Sequence, residues 1–482
     1  MQRKQKTDKT GCPCEDTLET NSSMEAFSID TLETEEKNGA RNLLEEILQK
    51  NNLKAAYKRV KQNGGAPGVD NMTVAELKPY LEERGAELIT SIREGRYKPQ
   101  PVRRVEIPKP NGGVRLLGVP TVIDRMIQQA IVQVLQPLFD LTFSNSSYGF
   151  RPNRNAQQAI KQAKEYYDEG YTQVVDIDLA KYFDTVNHDI LMGLVGREVK
   201  DKAVLKLIRK CLKSGVMQNG LVSPTTEGTP QGGNLSPLLS NIYLNEFDRL
   251  LKSRGHRFIR YADDCNIYVK SRRAAIRVME NCTKFLEGKL KLKVNREKSN
   301  VGSPTERKFL GFALFKVKEE TRIVPHKESI NKFKEKVRQL TSRNQGNSIE
   351  TILAHLKEYT VGWVSYYGIA NLKSIFQTLN GWTRRRIRQI FWKQWKGIKA
   401  KHKNLKQLGA SKDNSWRWAN SRLGCWRIAG SPILSTTLTN NYLSQMGYDD
   451  ILERYERIQS MILMRDNFIS NNHKQKPLAD WI

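Results

Sequence analysis

Two short stretches carry carboxylates at spacings that could do chemistry together. Val174-Val175-Asp176-Ile177-Asp178-Leu179 alternates with a period of two, so Asp176 and Asp178 share one face of a strand. Phe258-Ile259-Arg260-Tyr261-Ala262-Asp263-Asp264-Cys265-Asn266-Ile267-Tyr268-Val269 reads as two apolar strands around a tight turn that holds two adjacent carboxylates. Neighbouring like charges repel one another at a hairpin tip, and a bound cation relieves that cost. Aspartate also favours turns for local hydrogen-bonding reasons, so an Asp-Asp pair alone says little. With Asp178 brought alongside, the set offers the hard oxygen donors that Mg²⁺ prefers. Two such ions roughly 4 Å apart can activate a hydroxyl nucleophile and stabilise a phosphate leaving group. That chemistry is mainly positioning and charge neutralisation.

The elements that must position these residues alternate between strand and helix. Short β-branched runs at Gln173–Leu179 and on both sides of Ala262-Asp263-Asp264 are separated by helical stretches, which predicts an α+β sheet domain. Val102 to Val119 reads as a hairpin turning at Pro110-Asn111-Gly112-Gly113. Leu43, Leu44, Ile47 and Leu48 repeat at helix spacing ahead of the turn-rich Gly64-Gly65-Ala66-Pro67-Gly68. A further helix is predicted from about Ile123 to Leu135, with Met126, Ile127, Ala130, Ile131, Val134 and Leu135 on one side. Ser236 is expected to cap a helix that Pro237 opens. Beyond Glu328 the pattern is helical throughout and far more basic.

Composition narrows the partners. Across 482 residues, 80 Lys and Arg stand against 51 Asp and Glu, a formal charge of +29. Such a surplus favours a polyanion, because cations that neutralise phosphates release condensed counterions. Nucleic acid is preferred over a membrane surface: no apolar run approaches the ~20 residues needed to span a bilayer. The N-terminus lacks the apolar core of a signal peptide, so a cytoplasmic protein is expected. Six scattered cysteines, with Cys12 and Cys14 the one close pair, argue against a structural zinc site and for free thiols. Residues 1–40 are polar and read as a disordered tail.

Positive charge is densest in residues 381–410, which hold ten Lys or Arg and no acid. Ile387, Ile390, Phe391 and Trp395 fall on one helical face there, leaving Arg384, Arg385, Arg388, Lys393 and Lys396 as candidate RNA contacts. The last 75 or so residues contain Trp416, Trp418 and Trp426 among Arg417, Arg422 and Arg427, which suits either base stacking or a core.

These residues bear a resemblance. Tyr261-Ala262-Asp263-Asp264 resembles the signature hairpin of reverse transcriptases, and Asp178-Leu179-Ala180-Lys181-Tyr182-Phe183 their first catalytic strand. Gly228-Thr229-Pro230-Gln231-Gly232-Gly233-Asn234-Leu235-Ser236-Pro237 resembles the Pro-Gln-Gly loop of the same enzymes. Within that family the chain is most similar to the reverse transcriptase/maturases encoded by bacterial group II introns. Ile107-Pro108-Lys109-Pro110-Asn111-Gly112-Gly113-Val114-Arg115, Ser147-Tyr148-Gly149-Phe150-Arg151-Pro152 and Phe309-Leu310-Gly311-Phe312 add to this likeness. It runs from about residue 41 to the C-terminus.

The resemblance implies a right-hand polymerase fold. Fingers and palm, with a catalytic antiparallel sheet, would occupy 41–315; a helical thumb or maturase domain would occupy 316–410; and a basic aromatic segment at 411–482 would be a possible DNA-binding region. Asp178 and Asp263, helped by the carbonyl of Leu179, would hold two Mg²⁺ ions, with Asp264 completing the cluster and Asp176 structural. Phe183 would exclude a 2′-hydroxyl, Lys109 and Arg115 would clamp the incoming triphosphate, and Gln231 would touch the nucleotide. The implied partners are an RNA template with a DNA primer, dNTPs, the parent intron RNA and a DNA target. Many relatives end in an endonuclease with paired Cys motifs; none is found here, which implies the endonuclease-lacking type. Retron enzymes generally lack so long a basic region, and diversity-generating enzymes alter the Gln-Gly…Ser-Pro pattern that is intact here. A CRISPR-associated or phage-defence reverse transcriptase, and a splicing cofactor with a decayed polymerase site, are the competing readings.

Overall fold

Leu43, Leu44, Ile47 and Leu48 bury together as predicted, but the helix they start is short. α1 (Leu43–Leu48) breaks at Gln49, where ψ swings to 137°, and α2 (Lys50–Asn63) takes over. The computed structural model describes residues 42–474 apart from 109–111, 219 and 319. The predicted polar tail with Cys12 and Cys14, Lys109, and Pro110-Asn111 of the hairpin tip therefore lie outside the described residues. After α3 (Leu77–Arg93), the expected hairpin forms from β1 (Val102–Pro108) and β2 (Val114–Val119), antiparallel from Arg103↔Val119 to Pro108↔Val114. α4 (Val122–Asp140) starts where Thr121 accepts a hydrogen bond from the Asp124 N–H. It runs five residues beyond the predicted Leu135 and carries Pro137 inside its last turn, where the missing N–H leaves the Gln133 carbonyl without its helical donor.

α5 (Ala156–Asp168) opens with a capping box between Asn155 and Gln158. β3 (Gln173–Ile177), α6 (Tyr182–Thr185), α7 (His188–Glu198) and α8 (Lys202–Leu212) follow. β4 (Val216–Gln218) and β5 (Leu221–Ser223) extend the first sheet to the order β2-β1-β4-β5, with β4 parallel to β1. α9 (Ser236–Ser253) corrects one expectation: Leu235 is its N-cap, and the Ser236 hydroxyl donates to the Pro230 carbonyl at 2.8 Å instead of capping. Ser236 thereby closes the Pro-Gln-Gly loop onto the helix that follows.

The second sheet joins β6 (Arg257–Tyr261), β7 (Asp264–Val269) and β8 (Asn300–Gly302), the last after α10 (Arg272–Gly288), in the order β6-β7-β3-β8. Every neighbouring pair is antiparallel. Alternation gives this sheet two faces. Val175, Ile177, Cys265 and Ile267 sink into the main core, while Asp176, Asp178, Asp264 and Asn266 take the other face.

β9 (Phe312–Val317) and β10 (Glu320–Pro325) form a hairpin of their own, and every described element after it is a helix. These are α11 (Lys327–Leu340), α12 (Ile349–Tyr367), α13 (Lys373–Gln394), α14 (Ile398–Gln407) and α15 (Lys412–Ala419), then the short α16 (Cys425–Ala429), α17 (Pro432–Thr437) and α18 (Asn440–Gln445), and α19 (Ile451–Lys474). Ile387, Ile390 and Phe391 face a second core with Phe376, which stacks on Tyr455 at 4.0 Å. The Phe309–Phe312 stretch is the joint between sheet and helices. Tyr366 donates to the Leu310 carbonyl at 2.9 Å, Ser329 to that of Gly311 at 2.8 Å, and Phe312 lies against Tyr366 and Tyr367. No described helix is long and apolar enough to cross a membrane. Cys211, Cys265, Cys282 and Cys425 are free thiols.

Candidate active site

The tip of the β6–β7 hairpin is a two-residue turn, since Tyr261 pairs with Asp264. Ala262 and Asp263 form it; Asp264 is the first residue of β7, although the sequence suggested that both carboxylates occupy the turn. Ala262 sits at φ +58°, a left-handed conformation that a residue with a Cβ adopts only when its surroundings hold it there.

Two features hold it. Arg260, fully buried in β6, places all five of its N–H donors. Nε and one terminal nitrogen grip Asp248 of α9 at 2.7 and 2.6 Å, and the remaining donors reach Ser147 Oγ, Asn241 Oδ1 and the Ala262 carbonyl at 2.8, 2.9 and 2.9 Å. The guanidinium thus ties the turn to α9 and to the Ser147 segment. The second feature is Gly149, whose carbonyl accepts from Asn241 Nδ2 at 2.9 Å. A Cβ on Gly149 would stand 2.2 Å from the Ala262 nitrogen, so only glycine lets that segment lie against the turn. Sequence reasoning treated Arg260 as an ordinary strand residue. Its signal was a charge inside an apolar run, which burial permits only with a partner.

β3 delivers the other acids. Its last pair with β7 is Ile177↔Cys265, so one further step along the strands sets Asp178 beside Asp264. The Asp178 backbone is fixed by Ser299 Oγ at 3.0 Å and by the Asn295 N–H at 2.9 Å, and Lys298 Nζ lies 3.9 Å from its carboxylate. The acids act on one another. Surrounding protein, then Asp263, Asp176 and Asp178, hold the Asp264 carboxyl up at about 7. Burial raises Asp263, with Asp178 adding to the rise while its own N–H and Arg115 oppose it. Burial also lifts Asp176 to about 6, against the pull of Arg307. Asp176 therefore belongs to the same electrostatic cluster, a membership its strand face alone did not establish.

Among the described residues, no three His, Cys, Asp or Glu side chains form a ready-made ligand set. The donor chemistry nonetheless fits a hard divalent cation: short carboxylates on a rigid sheet raise one another's pKa, and a cation relieves that repulsion.

The remaining predicted residues fall around this face. Arg115 is exposed on β2 and close enough to favour ionisation of Asp263. Phe183, in α6 one turn beyond β3, is half-buried and meets Tyr182 edge-on at 5.2 Å. Gln231 is half-buried, and its carbonyl accepts from the Gly118 N–H at 2.8 Å, pinning the loop to β2. The basic candidates lie apart, on α13. Arg384 reaches Asp450 at 3.4 Å, Arg385 bonds the Trp426 carbonyl and lies 4.0 Å over that ring, and Arg388 bonds the Leu438 carbonyl and Asn440. Lys393 and Lys396 are exposed. Trp418 packs against the second core, whereas Trp416 is exposed and stacks on His402 at 4.2 Å.

Residues 107–314 match the family described as reverse transcriptase (RNA-dependent DNA polymerase), and residues 330–409 match the group II intron, maturase-specific domain. The chain is 37% identical over 299 residues to Protein YkfC of Escherichia coli (strain K12), a match covering 54% of this chain and 78% of that protein. It is 36% identical over 241 residues to the group II intron-encoded protein LtrA of Lactococcus lactis subsp. cremoris, covering 50% of this chain but 40% of LtrA. A putative COX1/OXI3 intron 2 protein of Saccharomyces cerevisiae is 35% identical over 206 residues, 42% of this chain and 24% of that protein.

Proposed function

The chain belongs to the group II intron-encoded reverse transcriptases and maturases, and from that premise we propose that Asp178, Asp263 and Asp264 are the catalytic carboxylates of its RNA-directed DNA synthesis. The observation that carries this reading is the cluster of mutually repelling acids on one polar sheet face, with the Asp263 turn braced from beneath by Arg260. Asp178 and Asp263, with the Leu179 carbonyl, would hold two Mg²⁺ ions, and Asp264 would complete the negative field. When bound, such ions polarise the primer hydroxyl and the departing pyrophosphate.

The chain's own groups do the positioning. Arg115, with Lys109 beside the same hairpin, would hold the triphosphate of a dNTP in line. Phe183 would lie under the sugar and reject a 2′-hydroxyl. Gln231 would contact the incoming nucleotide from a loop tied to β2 and α9. On this reading β1 to β8 and their helices are fingers and palm (41–315), α11 to α14 the thumb or maturase domain (316–410), and 411–482 a DNA-contacting segment. The maturase region would bind intron RNA during splicing, with Lys393 and Lys396 exposed to phosphates and Arg384, Arg385 and Arg388 beside them.

The test is primer extension on an RNA template with dNTPs and Mg²⁺, beside an Asp263→Ala control. Long cDNA from the unsubstituted protein and none from the variant is expected, with structured-RNA binding retained by both. No extension by the unsubstituted protein, despite tight RNA binding, would replace the polymerase with a purely RNA-binding splicing cofactor.

A further inference from the structure

α6 is a single turn of four residues, too short to hold its own shape, so its neighbours must fix where Phe183 stands. On one side the Phe183 ring rests edge-on against Tyr182, whose hydroxyl donates to the Ser240 carbonyl of α9 at 3.1 Å. On the other, the segment just ahead of Gln231 holds the backbone. The Thr229 N–H donates to the Phe183 carbonyl at 2.6 Å, the Gly228 N–H donates to the Val186 carbonyl at 2.7 Å, and Glu227 pairs with Asn187. A helix end leaves its last carbonyls without internal partners, so the bond from Thr229 is what ties Phe183 down.

The two segments touch closely. Gly228 sits at φ +89°, and a Cβ there would stand 2.9 Å from both the Phe183 and the Asp184 carbonyls. Only glycine lets them close on one another. A glycine is also the residue least able to hold its own conformation, so something else must fix it.

That group is His188, the first residue of α7 and 3% exposed, whose Nε2 lies 2.6 Å from the Gly228 carbonyl. A carbonyl can only accept, so Nε2 carries the proton and donates. Nδ1 is buried and has no partner among the described residues. An unpaired buried nitrogen is a cost that an apolar side chain would avoid, so packing alone does not account for an imidazole here. The bond to Gly228 does.

We propose that His188 is a positioning residue for sugar selection: it clamps the Gly228 carbonyl, fixes the Gly228–Thr229 segment, and through the Thr229 bond sets how closely the Phe183 ring approaches the nucleotide sugar. The inference rests on the reading of Phe183 as the residue under the sugar, and names what holds it there. A yielding apolar pocket rejects an added hydroxyl only weakly. Exclusion of a 2′-hydroxyl therefore depends on a ring that cannot retreat, and the clamp on its backbone supplies that resistance.

The test is single-nucleotide incorporation by the full chain on a primed RNA template with Mg²⁺, comparing kcat/KM for a dNTP and for the matching rNTP. Phe183→Val reports on the ring itself and cuts the dNTP preference most. His188→Leu keeps the site filled but removes the donor, and its dNTP preference falls roughly tenfold, chiefly because rNTP use rises. His188→Gln returns a donor near the Nε2 position and restores the preference. His188→Asn, whose amide stops short of Gly228, does not restore it, and this variant carries the comparison if the leucine variant fails to fold. A merely structural histidine would lower kcat/KM for both nucleotides together and leave their ratio unchanged. That unchanged ratio in the folded His188 variants, with Phe183→Val relaxed, would overturn the proposal. An unchanged ratio in Phe183→Val would instead overturn the reading of Phe183, and the clamp's role in sugar selection with it.

Discussion

The polar face of the β6-β7-β3-β8 sheet and the basic face of α13 are both crowded with charge of one sign, yet they treat that charge differently. On the sheet, Asp176, Asp178, Asp263 and Asp264 stay close and largely unpaired; among the described residues the ion pair they make is Lys298 with Asp178, at 3.9 Å. On α13, Arg384, Arg385, Arg386 and Arg388 are all drawn into bonds with carbonyls, a hydroxyl or Asp450. Reach explains the contrast. Aspartate has one methylene and is held wherever its strand puts it, whereas arginine has a long stem and five donors with which to find acceptors nearby. Charge density in a sequence is therefore a good guide to which short acids on strands stay unpaired, and a poorer one for arginines on packed helices.

Perturbing the brace under the acids should have the largest effect. Arg260→Met leaves Asp248 buried and unpaired, and chemical denaturation should show a loss of roughly 3–5 kcal/mol. Adding Asp248→Asn should restore part of it. A single-variant loss below about 1 kcal/mol would mean that the pair is not a brace at all.

Gly149→Ala comes next. The new methyl displaces the Ala262 backbone, and a shift of about 1 Å at a reacting centre lowers turnover roughly 100-fold. Extension rate should fall far more than the melting temperature, and a normal rate would detach the turn from catalysis.

The basic face can be split by paired variants. Arg385→Gln should cost roughly 1–2 kcal/mol of stability through its lost bond and ring contact. Lys393→Gln with Lys396→Gln should leave melting unchanged while lowering the salt slope of RNA binding by about two. Equal effects from both would erase the distinction between stapling arginines and exposed lysines.

The smallest expected effect concerns pH. Asp264 titrates near 7 in the fold but near the ordinary carboxylate value when unfolded, so the native state holds more protons in between. Metal-free protein should lose stability from this group as pH rises from about 4 to about 7, and the penalty should then persist. Asp264→Asn should melt slightly above the unsubstituted protein at pH 8 and level with it at pH 4, and added Mg²⁺ should narrow the gap. A gap that widens on acidification would contradict the sign.

Much of the acidic sheet face was legible because its signals are local. Alternation in Val174–Leu179 put Asp176 and Asp178 on one face, and apolar runs flanking Ala262-Asp263 marked the hairpin. The bond between Arg260 and Asp248 joins a strand to the inner face of α9, and nothing in either local pattern names the partner. Ser236 misled because the favoured N-cap chemistry, Ser followed by Pro, was used one position later to close a loop. The break at Gln49 was invisible because the apolar spacing runs through it. The Phe309–Phe312 stretch was noticed for likeness alone; its role as a joint depends on Tyr366 and Tyr367, more than fifty residues away.

Arg260 also bears on how this hairpin can change over generations. A side chain whose five donors all meet protein acceptors has no single-codon neighbour that can stand in for it, since lysine carries three donors and no planar fork. Asp248 is locked by the same bond from the other side. Exploration by drift is thus confined to the solvent side of the tip, while the interior pair can be exchanged only when two positions alter together.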